Sequence, residues 1–180
     1  IEEIILTGTE TIQEEIEVLM EILNEFTKFA RLPEMKTEKI NINPLLESSV
    51  EFFLSHENVQ FKLNLDGQVP DQYIDKVLIK QAINNILQNA VDAMNEKGMI
   101  SVSSEYQKEK NIIQIRIADN GQGIKKDDMA HIFEPGFSRK ANGTGLGLAI
   151  VQKIVNEHNG SIQCRSKLHE GTEFIIDFKL

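Results

Sequence analysis

The sequence contains a single cysteine, Cys164, among its 180 residues. One thiol can form neither an intramolecular disulfide nor a zinc site built from several thiolates. The composition therefore excludes a disulfide-stapled fold, and we expect the chain to work in a reducing, cytoplasmic compartment.

Runs of positive charge are also missing. The chain has 19 Lys and Arg against 28 Asp and Glu, which gives a formal net charge of -9, and no basic run occurs in it. Because affinity for a nucleic-acid backbone comes mainly from clustered Lys and Arg, we expect no nucleic-acid partner.

Long apolar runs are equally absent. No stretch approaches the roughly 18 apolar residues that a membrane-spanning helix needs, and the first residues lack the basic and then apolar profile of a signal peptide. With 41% hydrophobic residues the composition is typical of a soluble globular chain, so we expect no membrane contact by this segment.

A heptad stripe of apolar residues marks the first part of the chain, with spacings of four and three and Glu-rich positions between them. The stripe predicts one long helix, which needs a partner helix from an upstream segment or from a second chain to bury its apolar face. Pro33 disfavours helix at the residue before it, so we expect two domains, 1–34 and 35–180. The stripe consists of Ile12, Ile16, Leu19, Leu23, Phe26 and Ala30.

The second domain alternates shorter helix and strand patterns, which is typical of an α+β fold. A strong helix is predicted over 75–94, another begins with Asn43 as its cap and Pro44 in its first position, and a third follows the glycines near residue 147. Strands are predicted over 39–43, 59–65, 99–106, 111–119, 160–167 and 171–180.

Three polar residues share one face of the 75–94 helix. Asn85, Asn89 and Asp92 recur at spacings of four and three, although asparagine is a poor helix former. One interpretation is a solvated polar face. The other is a metal site, because amide oxygens at the edge of the core can complete the coordination of Mg²⁺ beside substrate phosphates.

A second cluster, "IADNGQGI", follows a predicted strand. It is either an ordinary Asp-Gly turn or a binding site for a flat ring. In the second interpretation Asp119 accepts a hydrogen bond from an amino group, while Gly121 and Gly123 let the ring lie against the backbone.

A third cluster places glycines at every second position before a helix, in "ANGTGLGLAI". A flexible hinge is one interpretation. The other is a phosphate site, because a helix N-terminus presents free N–H groups and a positive dipole end. The preceding segment, 134–142, is expected to be mobile without nucleotide, since Arg139 and Lys140 have no obvious partner until phosphates arrive. The spacing differs from that of the Walker phosphate loop.

Five motifs in this order resemble the ATP-binding catalytic domain of sensor histidine kinases, within the group that includes gyrase, Hsp90 and MutL. They are "NNILQNAVDA", "DNGQGI", "IFEPGF", "GTGLGLAI" and "GTEF", and the resemblance extends from about Lys39 to Leu180. The sequence "EFTKFARLPEM" is most similar to the nitrogen-regulation type, NtrY and NtrB.

The resemblance implies a two-layer sandwich of a mixed β-sheet and three helices, the Bergerat-type ATP-binding fold, with ATP and Mg²⁺ as ligands. By position, Asn89 would bind the metal, Asn85 would support the phosphates, and Asp119 would accept from the adenine amino group with help from Thr172. Phe133 and Phe137 would anchor a lid over the nucleotide rather than touch it. The implied nucleotide contacts are Asn85, Asn89, Asp92, Asp119, Gly121, Gly123, Ile124, Lys140, Gly143, Thr144, Gly145, Leu146, Gly147, Leu148 and Thr172, with Arg139 as a further candidate for neutralising phosphate.

The resemblance also implies a phosphoacceptor histidine on the first helix of a dimerisation hairpin. No histidine lies in the heptad stripe, so we expect the 1–34 helix to be the second hairpin helix and the acceptor to lie on an upstream helix. The implied partners are a second copy of the chain, bound through the hairpin, and the receiver domain of a response regulator. The cytoplasmic part of a membrane-bound sensor fits these expectations. The four histidines present, each expected at a surface or boundary position, are His56, His131, His158 and His169.

Two other functions are weighed against a histidine kinase. An ATPase of the Hsp90 or MutL type resembles this pattern but carries a Glu four residues before the metal-binding Asn, where it acts as general base. This chain has Asn85 there, and an amide cannot take that proton. A nucleotide-binding regulatory module without catalysis stays open.

Overall fold

The computed structural model describes residues 12, 13, 16, 19, 20, 23, 26, 27, 34–56, 58–94, 97–140 and 143–180. Two sheets and three helices occur in the described residues from 34 onward. In chain order they are β1 (Glu38–Ile40), α1 (Asn43–Phe53), β2 (Val59–Leu65), β3 (Gln72–Ile74), α2 (Lys76–Asp92), β4 (Gly98–Gln107), β5 (Ile112–Asp119), α3 (Gly147–Glu157), β6 (Gly160–Lys167) and β7 (Gly171–Lys179).

The larger sheet is mixed, as expected. Its five strands lie in the order β2-β4-β5-β7-β6. Strands β2 and β4 are parallel, whereas β4, β5, β7 and β6 pair antiparallel with their neighbours. A separate small sheet pairs β1 with β3 antiparallel.

The core lies between one face of the larger sheet and the three helices. The apolar period of the 75–94 segment predicts a buried face at Ile79, Ala82, Ile83, Ile86, Leu87, Ala90 and Ala93. Helix α2 buries all of these except Ala93, which is half-buried. Burial of these side chains against the sheet is the main force that holds the two layers together. Fully buried members from both layers include Leu46, Phe53, Ile83, Leu87, Ile100, Ile113, Ile115, Ile154 and Phe178.

Two local expectations are wrong. Asn43 is not the cap of α1, because its N–H donates to the Asn41 side chain and its own amide bonds the Asp66 carbonyl at 2.9 Å and the Ser104 hydroxyl at 2.7 Å. Helix α1 has no side-chain cap at Ile42. The first strand ends at Ile40 and not at residue 43, and the sequence analysis missed the three-residue strand β3.

The eight described residues between Ile12 and Thr27 are all helical. Five members of the heptad stripe, Ile12, Ile16, Leu19, Leu23 and Phe26, are between 53% and 63% exposed. The sixth, Ala30, lies outside the described residues. In the described part of the chain, no helix has the length and apolar character needed to cross a membrane.

Candidate functional site

A cavity of about 710 Å³ opens among α2, the turn after β5, the long connection from β5 to α3, and the start of α3. This volume lies within the range of small-molecule sites, about 300–1,000 Å³. The connection of 27 residues between Asp119 and Gly147 supplies much of the wall, and long connections of this kind are usually functional. Thirteen of the fifteen expected nucleotide residues line the cavity: Asn85, Asn89, Asp92, Asp119, Gly123, Ile124, Lys140, Gly143, Thr144, Gly145, Gly147, Leu148 and Thr172.

The other two expected residues, Leu146 and Gly121, do not line the cavity but pack next to residues that do. Leu146 is buried and occupies the cap position of α3. Gly121 packs against the end of α2, where an added Cβ would come within 2.6 Å of the Ala93 carbonyl oxygen. Both therefore support the cavity without lining it.

The polar face of α2 is turned into the cavity. Asn85 donates through Nδ2 to the carbonyl of Gly147 at 3.2 Å, which ties α2 to the first residue of α3. Asn89 and Asp92 instead accept hydrogen bonds from the Lys140 ammonium group, at 3.0 and 2.6 Å. The structure thus brings this polar face into contact with the segment before α3 and with the start of α3.

The two cations of the lid already have partners, and the expectation that they lack them is wrong. Lys140 bonds Asp92 and Asn89, and Arg139 makes a two-pronged ion pair with Asp128 at 2.6 and 3.2 Å. The Arg139 guanidinium group holds the pKa of the Asp128 carboxyl below its usual range. Sequence reasoning missed Asp128, because Arg139 meets it only after the connection folds back. The expected lid extends to Asn142, but Ala141 and Asn142 lie outside the described residues.

Asp119 ends β5 at the floor of the cavity. Its Oδ1 atom accepts from the N–H groups of Gly121 and Thr172, at 2.8 and 3.3 Å. Burial raises the pKa of the Asp119 carboxyl above its ordinary value, and the two backbone hydrogen bonds only partly oppose that effect.

A serine that the sequence analysis missed orders this floor. The strand register places Asp119 opposite Thr172 and Thr172 opposite Ser166. The Ser166 hydroxyl accepts from the N–H of Ile124 and donates to the carbonyl of Gly171, both at 2.8 Å. No motif marks Ser166, which lies inside an ordinary alternating strand, so only the pairing of β6 with β7 reveals its position.

Apolar side chains also line the cavity. Two of the expected residues, Ile124 and Leu148, contribute to this wall, together with Ile132, Leu168 and Phe174, which the sequence analysis did not select. Phe133 packs edge-on against Phe174, with ring centroids 6.5 Å apart, as expected of an anchor. Phe137 packs against the core but also lines the cavity.

The glycines at the start of α3 have different structural reasons. Gly145 has a φ of +68°, and an added Cβ would lie 2.4 Å from the Gly136 carbonyl carbon, so the fold itself requires glycine there. At Gly147 an added Cβ would meet no heavy atom within 4 Å. Helix α3 begins at Gly147 without a side-chain cap, which leaves its first N–H groups for another partner.

No histidine lines this cavity in the described part of the chain. His158 is buried and not at the surface or boundary, which corrects the expectation for that residue. Its Nε2 atom accepts from the N–H of Asp75 at 3.0 Å, so the ring proton is on Nδ1, which faces the Ile154 carbonyl at 2.7 Å. The contact connects the end of α3 to the start of α2.

Comparison with known proteins identifies the class. Residues 74–180 match the family described as "Histidine kinase-, DNA gyrase B-, and HSP90-like ATPase", and the chain belongs to this family. The fold confirms the expected α+β sandwich of a mixed sheet and three helices.

Proteins named as histidine kinases are among the relatives that the chain resembles. The chain is 33% identical over 165 residues to the signal transduction histidine-protein kinase AtoS of Escherichia coli (strain K12). The aligned region covers 90% of this chain and 27% of AtoS. NtrY of Azorhizobium caulinodans, of the expected type, is 32% identical over 86% of this chain and 21% of its own length. The chain thus spans about a quarter of these relatives.

Solved structures give the same result. The catalytic domain of histidine kinase ThkA is 30% identical, with a TM-score of 0.72 over 81% of this chain and 96% of that domain. ThkA in complex with the response regulator TrrA is 26% identical, with a TM-score of 0.76 over 93% of this chain and 49% of that one. Full-length ShkA in complex with AMPPNP is 25% identical, with a TM-score of 0.81 over 96% of this chain and 38% of the ShkA chain.

Proposed function

We propose that this chain is the ATP-binding catalytic portion of a two-component sensor histidine kinase. It would transfer the γ-phosphate of ATP to a histidine on an upstream helix, for relay to an aspartate of a response regulator. The observation that carries the proposal is the convergence of α2, the Asp119 turn, the lid and the start of α3 on one cavity. Relatives that are histidine kinases support the same function.

Adenine would bind at the Asp119 end of the cavity. The Asp119 carboxylate is held by two backbone N–H groups and is available to accept from an exocyclic amino group. Apolar side chains such as Leu148 and Leu168 would cover the faces of the ring. The ShkA complex with AMPPNP supports ATP as the nucleotide.

The phosphates would lie between α2 and the start of α3. The uncapped N–H groups at Gly147 and the open space above that glycine suit close approach of an anion. Lys140 would add positive charge from the lid, as cations do in phosphoryl transfer.

The residues present fit a magnesium ion beside these phosphates. The Asn89 Oδ1 atom is a hard oxygen on the cavity wall, and it already accepts from a cation, the Lys140 ammonium group. Mg²⁺ is commonly held by one or two protein oxygens with water and substrate phosphates. When bound, the metal would neutralise phosphate charge during transfer.

An ATPase cycle of the Hsp90 or MutL type is less well supported. Position 85 carries an amide that donates to the Gly147 carbonyl, so it has a structural partner and no basic character. AtoS and ThkA, which are named as histidine kinases, also disfavour a module without catalysis.

The N-terminal segment would serve as the second helix of a dimerisation hairpin, with the acceptor histidine on the first. Its exposed heptad stripe suits both the partner helix and a second copy of the chain. The ThkA–TrrA complex supports a response regulator as the downstream partner. We place the protein in the cytoplasm, alone or as part of a membrane-bound sensor.

Calorimetry with AMPPNP tests the proposed site, with and without Mg²⁺. Asn89→Ala should weaken binding at least tenfold when magnesium is present and change it little in EDTA, because the lost oxygen would act through the metal. Gln81→Ala, an amide truncation on the same helix outside the cavity, is the matched control. Wild-type affinity for Mg·AMPPNP in the Asn89→Ala variant would contradict the proposal.

A further inference from the structure

The Lys140 ammonium group occupies the position proposed for the metal. Its Nζ atom lies 3.0 Å from Asn89 Oδ1 and 2.6 Å from Asp92 Oδ2, so it bridges the two oxygens one turn apart on α2. We propose that Lys140 is a tethered internal cation that excludes free divalent metal from these oxygens until nucleotide phosphates draw it away. This inference rests on the proposed function.

The oxygens are held in place for this contact. Asp92 Oδ1 accepts from the Gln88 side chain at 2.7 Å, which leaves Oδ2 directed to Lys140. The Lys140 and Asp92 side chains are 48% and 33% exposed, so the contact is a solvent-accessible ion pair that incoming phosphates can reach.

Metal and ammonium cannot share this position. A divalent ion bound at Asn89 Oδ1 would lie within a few ångströms of the Lys140 charge, and like charges at that separation repel each other. The ammonium also satisfies the acceptor that the metal needs. In the absence of nucleotide, a metal ion must therefore displace Lys140 from Asn89 and Asp92, and the displaced ammonium group gains no other anionic partner in exchange.

Nucleotide changes this balance. A triphosphate beside α2 offers Lys140 stronger anionic acceptors than Asp92, so the ammonium can leave Asn89 for phosphate while the metal enters. The other lid cation does not compete for these oxygens, because Arg139 is bonded on two atoms to Asp128. Metal and nucleotide consequently bind with strong positive coupling, and Lys140 is the residue that sets it.

Electron paramagnetic resonance of Mn²⁺ tests the inference without nucleotide. Lys140→Gln removes the charge and keeps a polar side chain of similar length, so it should bind Mn²⁺ at least tenfold more tightly than the wild type. Adding Asn89→Ala to Lys140→Gln should abolish the gain. Lys125→Gln is the matched control, because Lys125 lines the same cavity and its loss removes the same charge.

Three outcomes would overturn the inference: no gain in Lys140→Gln, an equal gain in Lys125→Gln, or a gain that survives Asn89→Ala. A parallel series with AMPPNP separates this result from the proposed function. Wild-type protein that fails to bind AMPPNP would overturn the proposed function, while the nucleotide-free metal series still reports whether Lys140 blocks the site.

Discussion

At the scale of single residues, Asp119 combines a costly environment with a recognition role. It is the carboxylate of the cavity floor, and burial raises its pKa because the charged form loses solvation. The two backbone N–H groups that it accepts from fix its position without removing that cost. A carboxyl group that is held at a fixed position despite this cost is a candidate for ligand recognition.

Replacement of Asp119 should alter base selection. Asp119→Asn should weaken ATP binding about tenfold or more and narrow the preference for ATP over GTP, because a carboxylate accepts from the adenine amino group whereas guanine presents a carbonyl at that edge. Competitive titration with both nucleotides measures the two affinities. Equal losses for ATP and GTP would exclude this role.

The same variant should be more stable than the wild type without nucleotide. Since the folded pKa of Asp119 is raised, the stability that this group contributes is present below its unfolded pKa of 3.8 and is lost as pH rises through the folded pKa. Asparagine does not ionise and keeps that contribution. In urea unfolding at pH 7, Asp119→Asn should therefore have a larger free energy of unfolding than the wild type. This difference between the two proteins should shrink as the pH is lowered. A wild type that is the more stable at pH 7 would refute the argument.

The sequence indicated most cavity residues because their chemistry is local. Glycines before a helix, amides four residues apart and an Asp-Gly turn each point to binding within a short window. Ser166 and Asp128 were missed because their roles depend on partners at Ile124 and Arg139, on other segments. The pairing of Lys140 with α2 was missed for the same reason.

Among the secondary-structure elements, the end of α3 contacts the start of α2 through a buried histidine, His158. Asp75 caps α2 by accepting from the N–H groups of Val77 and Leu78, and its own N–H donates to the buried His158 ring. This contact joins the helix with the proposed metal ligand to the helix with the phosphate glycines, in addition to the Asn85–Gly147 hydrogen bond.

Loss of the His158 ring should destabilise the domain. His158→Ala would leave the buried N–H of Asp75 without its acceptor, at a cost of about 1–3 kcal/mol, and would add a cavity beside Phe178. His169→Asn is the control, because His169 is exposed and asparagine tolerates its φ of 64°. The midpoint of urea unfolding measures both. A shift for His158→Ala no larger than the control would show that this contact is dispensable.

Elements with a clear period were predictable, and those set by distant contacts were not. The apolar spacing of α2 and the alternation in β4 and β6 predicted both the kind of element and its approximate residue range. Strand β3 has three residues and exists only because β1 pairs with it. Asn43 has the residue type of a cap, but its amide gains two long-range partners, and tertiary contacts override the local preference.

At the scale of the whole molecule, the proposed kinase needs a second element to receive phosphate. The heptad stripe is more than half exposed at each of its five described positions, and no histidine precedes Pro33. The domain would hold the γ-phosphate and its countercharges in line, so transfer would depend mainly on where an incoming imidazole is placed. A helix docked on the stripe would supply that placement.

Phosphotransfer to a separate helix tests this arrangement. With ATP alone the chain should not label its own histidines, but it should label a supplied hairpin helix that carries a histidine followed by Glu or Asp and an apolar stripe. Leu19→Lys with Leu23→Lys should reduce transfer at least tenfold and leave AMPPNP affinity unchanged, because these side chains lie on the stripe and away from the cavity. Acid-labile label on His56, His131, His158 or His169 would contradict the prediction. If the stripe only pairs chains into an inert dimer, the chain will sediment as a dimer and no supplied hairpin will be labelled.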